Sequence, residues 1–311
     1  MKDLIQRFNV VPGNLYINVL IILFRQRDVV GMVKIRVLVN EYIDNPFYNI
    51  AVEESVALYA DMHKIPTLRL WRNQNCIVIG RFQSPRLEIK ADSCLKYRTP
   101  FVRRFTGGGA VYHDTGNLNF ALTAPHDFYS GRGVKNAYMD AGMSIAESVS
   151  SLGVAASYHP INDVVIKDRK ISGMAAAFMK NGFFINGLLM ISSDLGILSE
   201  VLNVPREKLE SKAVQSVRKR VTTLNEESGK IISMETAMNA VVDGFGKYFK
   251  AEMVMDSITD EEIAMTDDLY RKKYLNMDWN LGEEYSVRKE LYEEYRNILI
   301  ETLPAGDRNA Y

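Results

Sequence analysis

Cysteine is nearly absent from this 311-residue sequence, which carries only Cys76 and Cys94. Two cysteines cannot build a disulfide framework, and they suit a reducing compartment, which we take to be the cytoplasm. Histidine is equally sparse: His63, His113, His126 and His159 show no metal-motif spacing, which argues against a structural zinc site. No charge of one sign dominates, since Lys plus Arg and Asp plus Glu each number 38. A global field that would draw in nucleic acid or an anionic membrane is therefore missing. The longest apolar stretch, Leu15 to Phe24, is about half of what a membrane-spanning helix needs. Pro12 and Gly13 before it, with no small-residue cleavage site, also weaken a secretory signal. Internal repeats and low-complexity linkers are missing too. What remains is an ordinary globular composition, long enough for one large domain or for one plus an appendage.

Met32 directly precedes an alternating run, Val33 to Val39, that reads as a strand. We therefore expect residues 1–31 to be an appended or mis-started segment, residues 32–250 the catalytic domain and residues 251–311 a helical C-terminal tail. Asn45-Pro46 offers a helix cap followed by a proline at the first helical position, for a helix to about Ala60. Thr67 to Trp71 and Cys76 to Gly80 read as strands separated by a turn at Asn73 to Asn75. The pattern predicts helices at Leu87 to Tyr97 and Val134 to Leu152. Strands are predicted at Pro100 to Phe105 and Asn117 to Thr123, and as a meander of Val164 to Lys167, Ile171 to Phe178 and Phe183 to Ile191. Five helical stretches follow: Asp194 to Leu202, Arg206 to Val217, Ser233 to Phe249, Asp260 to Tyr274 and Gly282 to Thr302. The fold class is α+β, a mixed or antiparallel sheet with flanking helices.

Against that background one run stands out: Arg103-Arg104-Phe105-Thr106-Gly107-Gly108-Gly109-Ala110-Val111-Tyr112-His113-Asp114. Consecutive glycines cost conformational entropy, so they are kept where backbone must approach something closely or take positive φ. Backbone N–H groups in such a loop form a concavity for phosphate oxygens, and adjacent arginines bind the same oxygens. A glycine-rich hairpin with solvated arginines is an equally open reading, because the run matches neither the dinucleotide nor the P-loop spacing. A second run, Ile161-Asn162-Asp163-Val164 through Arg169-Lys170-Ile171-Ser172-Gly173, places a lysine among small and apolar residues. On periodicity alone, Lys170 reads as a solvated hairpin lysine.

Taken together, these two runs and a third, Ser216-Val217-Arg218-Lys219-Arg220-Val221-Thr222-Thr223-Leu224, resemble the lipoate-protein ligase family, in particular its bipartite archaeal type. The resemblance covers roughly Ile35 to Trp279. It implies a catalytic domain of the fold shared with biotin-protein ligases, activation of lipoate by ATP and Mg²⁺ to lipoyl-adenylate, and transfer of the acyl group to a lysine of an E2 lipoyl domain or a glycine-cleavage H protein. By the same resemblance the nucleotide-contacting arginine is Arg103, and the glycine loop is Gly107, Gly108, Gly109, Ala110 and Val111, with His113 beside it. Lys170 is implied as the catalytic lysine; Asn162 and Asp163 fall near the adenylate, with Asp163 toward the metal.

Two departures qualify the match. Family members often carry histidine where this chain has Asn186, which cannot be a cation. The separate C-terminal domain of many such ligases is replaced here by a helical tail, which implies a small partner subunit. Alternatives are a lipoyl or octanoyl transferase of the same fold using a preactivated donor, and a non-catalytic lipoyl-domain-binding subunit. Biotin ligation is weakened by the lack of a Gly-Arg-Gly-Arg run. For the transferase, neither Cys76 nor Cys94 stands near Asn162-Asp163, where its nucleophile would be expected.

Overall fold

The computed structural model describes residues 32–131, 133–203, 220–303 and 307. The N-terminal extension, the expected helix at Arg206 to Val217 and residues 216–219 of the third motif lie outside the described residues. Eleven strands are described: β1 (Val33–Val39), β2 (Thr67–Trp71), β3 (Cys76–Ile79), β4 (Phe101–Arg103), β5 (Val111–His113), β6 (Asn117–Pro125), β7 (Ser157–His159), β8 (Asp163–Ile166), β9 (Arg169–Phe178), β10 (Gly182–Met190) and β11 (Ala251–Asp256). Eight of them form a mixed sheet in the order β11-β1-β2-β6-β10-β9-β8-β7, and β4-β3-β5 make a second sheet.

Helix α1 (Pro46–His63) begins as its sequence dictates, with the Asn45 side chain accepting from the Tyr48 amide and Pro46 in the first turn. Short helices α2 (Pro85–Glu88) and α3 (Ala91–Tyr97) replace the single helix expected at Leu87 to Tyr97. The break has a backbone cause: Ile89 bridges Leu202, and the Lys90 amide donates to the Val201 carbonyl at 2.9 Å. Helices α4 (Val134–Ser151), α5 (Leu195–Val201) and α7 (Met234–Phe249) fall within their predicted stretches, whereas the short α6 (Leu224–Ser228) was not expected. Strand β11 comes next and pairs in parallel with β1, an edge position that its short, half-exposed run did not announce. Then come α8 (Asp260–Leu269), a π-helical turn (Tyr270–Tyr274), α9 (Met277–Leu281), α10 (Glu283–Val287), a 3₁₀ turn (Lys289–Tyr292) and α11 (Glu293–Thr302). The long helix expected from Gly282 is interrupted at Arg288, whose φ of −132° leaves the helical region. Among the described residues no helix is long and apolar enough to cross a membrane.

Alternation along the central strands sorts side chains into two layers. Leu118, Phe120, Leu122 and Ala124 of β6, with Phe183, Ile185 and Leu189 of β10, join Ile145, Val149, Val241 and Phe245 of α4 and α7 in one core. The alternate residues face the other way, toward α1 and the small sheet, where a second core contains Phe47, Ile50, Trp71, Ile77, Ile79, Tyr274 and Leu281. A cavity lies on this second side. The segment Asn73 to Asn75 does more than turn the chain, because it carries β3 out of the large sheet. Asn73 is fully buried there, accepting from Asn49 Nδ2 at 2.8 Å.

Candidate active site

A cavity of about 270 Å³ is walled by β10, β9 and β6 on one side and by the glycine loop and β5 on the other. Of the residues singled out in the sequence, Gly109, Ala110, Val111, His113, Asn162 and Lys170 line it. Two runs some sixty positions apart thus meet across one space.

The lysine wall is built by an irregular ladder. Between β8 and β9, Asp163 pairs with Gly173 and Val164 with Ser172, but Val165 pairs with Lys170, so one residue of β9 bulges. The bulge brings the end of Lys170 over Gly173: a Cβ at Gly173 would lie 2.5 Å from both Cε and Nζ of the lysine. Lys170 Nζ stands 2.6 Å from Asp163 Oδ1, and both side chains are about one-third exposed at the cavity mouth. Asn162 is pinned by its amide, which donates to the Met174 carbonyl at 2.6 Å.

On the opposite wall, Gly108 takes φ +87°, the conformation that favours glycine, and its carbonyl presses so closely on Gly80 that a side chain there would collide. Gly107 and Gly109 have room for a Cβ. Their carbonyls instead accept from Arg104 Nη2 at 2.7 and 2.8 Å. Arg104 also donates to the Val78 carbonyl and, through Nε, to Thr106 Oγ1, leaving one of its five donors uncommitted among these bonds. Gly107 and Gly108 are therefore behind the wall rather than on it.

The two neighbouring arginines, of which Arg103 was the expected nucleotide contact, part ways here. Successive side chains of an extended segment point to opposite faces, and it is Arg104, not Arg103, that lines the cavity. Arg103 is turned away, and its guanidinium bonds five backbone carbonyls, those of Gly80, Arg81, Gln83, Trp279 and Asn280.

Asn186, noted above where relatives carry histidine, and several groups not expected at the site also belong to it. Thr106 Oγ1 donates to Asn186 Oδ1 at 3.3 Å, and Asn186 Nδ2 donates to Glu53 Oε1 at 3.1 Å. The resulting chain, Arg104 to Thr106 to Asn186 to Glu53, runs along the cavity wall. Glu53 is buried; that desolvation pushes its carboxyl up to about 7 against the pull of Arg69, Asn186 and Arg104. Glu53 Oε2, Trp71 Nε1 and both amide atoms of Asn119 are buried with no hydrogen-bond partner among the described residues, and all three residues line the cavity. Asn119 was open to inference, being a polar residue that alternates with Leu118 and Phe120. Burial, then the nearby Arg104, lowers the His113 imidazole to about 3, so it is neutral. Its Nδ1 faces Asn73 Nδ2 at 3.3 Å, and Asn73 Oδ1 is already taken by Asn49, which leaves the proton on His113 Nε2. His113 therefore offers a neutral donor and not a cation. Among the described residues Asp163 is the one carboxylate paired with Lys170, and no three His, Cys, Asp or Glu side chains cluster as metal ligands.

Residues 45–246 match the model of the lipoyl protein ligase A/B catalytic domain. The chain belongs to this family. A lipoyl protein ligase relative, lipoate-protein ligase A subunit 1 of Thermoplasma acidophilum, is 30% identical over 266 residues, covering 82% of this chain and 98% of its own. The structure of a bi-partite lipoate protein ligase and its E2 lipoyl domain, from the same organism, superposes with a TM-score of 0.73 at 31% identity, over 80% of this chain and 96% of that one. A lipoate-protein ligase A bound with ATP gives a TM-score of 0.72 at 28% identity, over 80% and 99%. The α+β fold inferred from the sequence is the fold of these ligases.

Proposed function

We propose that the chain is the catalytic subunit of an ATP-dependent lipoate-protein ligase. It would join lipoate to AMP and then pass the lipoyl group to a lysine of an E2 lipoyl domain or an H protein. The observation that carries this is the meeting of Lys170 with the Gly109 to Val111 wall across a single cavity that Arg104 also lines.

In the first step a lipoate carboxylate oxygen attacks the α-phosphorus of ATP and pyrophosphate leaves. Two anions approach only where their charge is offset, and fixed cations and dipoles in a partly dry site do this at little reorganisation cost. Arg104 supplies a buried positive charge and the remaining Nη1 donor, and the loop it shapes presents backbone to the phosphates. Lys170 Nζ, held over Gly173, reaches the α-phosphate and the acyl carbonyl oxygen. In the second step the neutral amine of the acceptor lysine attacks that carbonyl, and negative charge grows on its oxygen beside Lys170. The C–O bond of the anhydride breaks so that AMP leaves with the bridging oxygen that came from the lipoate carboxylate, and the nitrogen gives up a proton to become the amide. Asp163 suits one carboxylate ligand of a Mg²⁺ ion otherwise held by phosphates, which would neutralise phosphate charge.

The branches of the donor-transferase reading that use a cysteine nucleophile call for an accessible cysteine near the site. Cys76 and Cys94 are fully buried and neither lines the cavity. Burial pushes the Cys94 thiol up to about 12 and raises Cys76 further, so neither offers thiolate at neutral pH. The near-complete coverage of the Thermoplasma subunit supports a small second polypeptide as partner. Purified chain, with and without a candidate small subunit, is to be incubated with lipoate, Mg²⁺ and a lipoyl domain. The proposal expects lipoylation by mass only when ATP is added; transfer from an acylated carrier protein without ATP would favour the transferase.

A further inference from the structure

Arg103 and Arg104 are neighbours with different assignments. The cavity-side arginine carries positive charge at the site; the other is buried, and among the described residues its guanidinium bonds five carbonyls and no carboxylate. Burying a guanidinium is costly and is offset here by hydrogen bonds to backbone carbonyls, which the same bonds hold together. They come from two places distant in sequence. Gly80, Arg81 and Gln83 lie in the turn after β3; Trp279 and Asn280 lie on α9.

Each group of carbonyls has its own connection. The turn after β3 backs the glycine loop, since Gly80 abuts the Gly108 carbonyl and the Arg81 amide donates to the Thr106 carbonyl at 2.8 Å. The α9 segment closes on the backbone of Arg103 from the other side: Trp279 Nε1 donates to the Arg103 carbonyl at 2.8 Å, and the Arg103 amide donates to Asn280 Oδ1 at 2.9 Å. A second tie runs parallel to the first. Lys273 Nζ stands 4.1 Å from the centre of the Trp279 ring and 6.0 Å from that of Phe105, while bonding Glu54 at 2.7 and 2.8 Å. Arg103 and Phe105 thus face the C-terminal segment, while Arg104 and Thr106, the alternate residues, serve the cavity.

We infer that Arg103 is a positioning residue through which the C-terminal segment 270–282 sets the glycine loop, so that nucleotide affinity depends on a side chain that touches no nucleotide. This rests on the ligase reading, in which the loop binds ATP. Lysine cannot substitute, because its three donors radiate from one point and cannot span carbonyls on both sides.

The test is equilibrium binding of ATP and, separately, of lipoate to the full chain and to Arg103→Lys and Trp279→Phe, with melting temperature measured alongside. Trp279→Phe keeps a ring against Lys273 and removes one hydrogen bond to Arg103. ATP affinity is expected to fall about tenfold in Arg103→Lys and about threefold in Trp279→Phe, with lipoate affinity within about twofold of the parent in both. If Arg103→Lys does not fold, Trp279→Phe decides. Unchanged ATP affinity in a folded variant, or equal losses for ATP and lipoate that follow the melting temperature, would overturn the inference and leave the ligase reading intact. A parent chain that binds no ATP would remove both.

Discussion

Lys170 lies across Gly173 so closely that any Cβ on Gly173 would sit 2.5 Å from the lysine's Cε and Nζ. The obstruction is the far end of a flexible side chain, which can swing outward, so Gly173→Ala is a displacement of the ammonium more than a packing fault. We expect this variant to melt within a few degrees of the parent and to lose transfer by about 10²-fold, in the range found when a preorganised donor is removed. Steady-state lipoylation rates and a thermal melt check it; near-normal turnover would show that the ammonium position is unimportant.

Asp163 holds the same ammonium from the other side. Because the pair is about one-third exposed, its worth to stability is small, about 0.2 to 1 kcal/mol. Asp163→Asn should therefore leave the melting temperature almost unchanged while raising the Mg²⁺ concentration needed for half-maximal rate and lowering the rate at saturation. A Mg²⁺ titration of adenylate formation measures both, and an unshifted titration would take Asp163 out of metal binding.

Glu53 gives a pH prediction whose sign follows from burial. The unfolded carboxyl has a reference value of 4.5, whereas the folded one is held protonated up to about 7. Between those values the unfolded state binds fewer protons than the folded state, so stability falls as pH rises through the window. The full difference is on the order of 3 kcal/mol. Glu53→Gln, which can still accept from Asn186, should lack this slope and melt higher than the parent at pH 8 but not at pH 4.5. Parallel pH profiles for parent and variant would contradict the assignment.

Much of the architecture was legible because local rules and tertiary context agree. Val33 to Val39 and Thr67 to Trp71 alternate cleanly and are strands over those same residues, and Asn45-Pro46 caps and opens α1. The glycine run and Lys170 were recognisable as a pair of motifs. The facing of Arg103 and Arg104 was not, since period 2 says that neighbours point apart but not which one meets the cavity. Glu53 was hidden in a charged pair with Glu54 on an amphipathic helix, and only the fold shows that Glu53 is buried against Asn186 while Glu54 bonds Lys273 and Tyr274. The breaks at Ile89 and Arg288 were equally invisible. At Ile89 the chain gives up helix for pairing with residues 201–203, and around Arg288 the turn seats Tyr292, whose hydroxyl bonds Glu284 at 2.6 Å.

The central claim is that Lys170 and the glycine wall form one ATP-dependent acyl-transfer site. Its most direct test is the intact mass of a lipoyl domain after incubation with lipoate, ATP, Mg²⁺ and either the parent chain or Lys170→Ala, the candidate small subunit present throughout. The lipoyl mass increment is expected with the parent chain, whereas Lys170→Ala is expected to melt like the parent and to leave the domain unmodified. Full lipoylation by Lys170→Ala, or lipoylation by the parent without ATP, would contradict it.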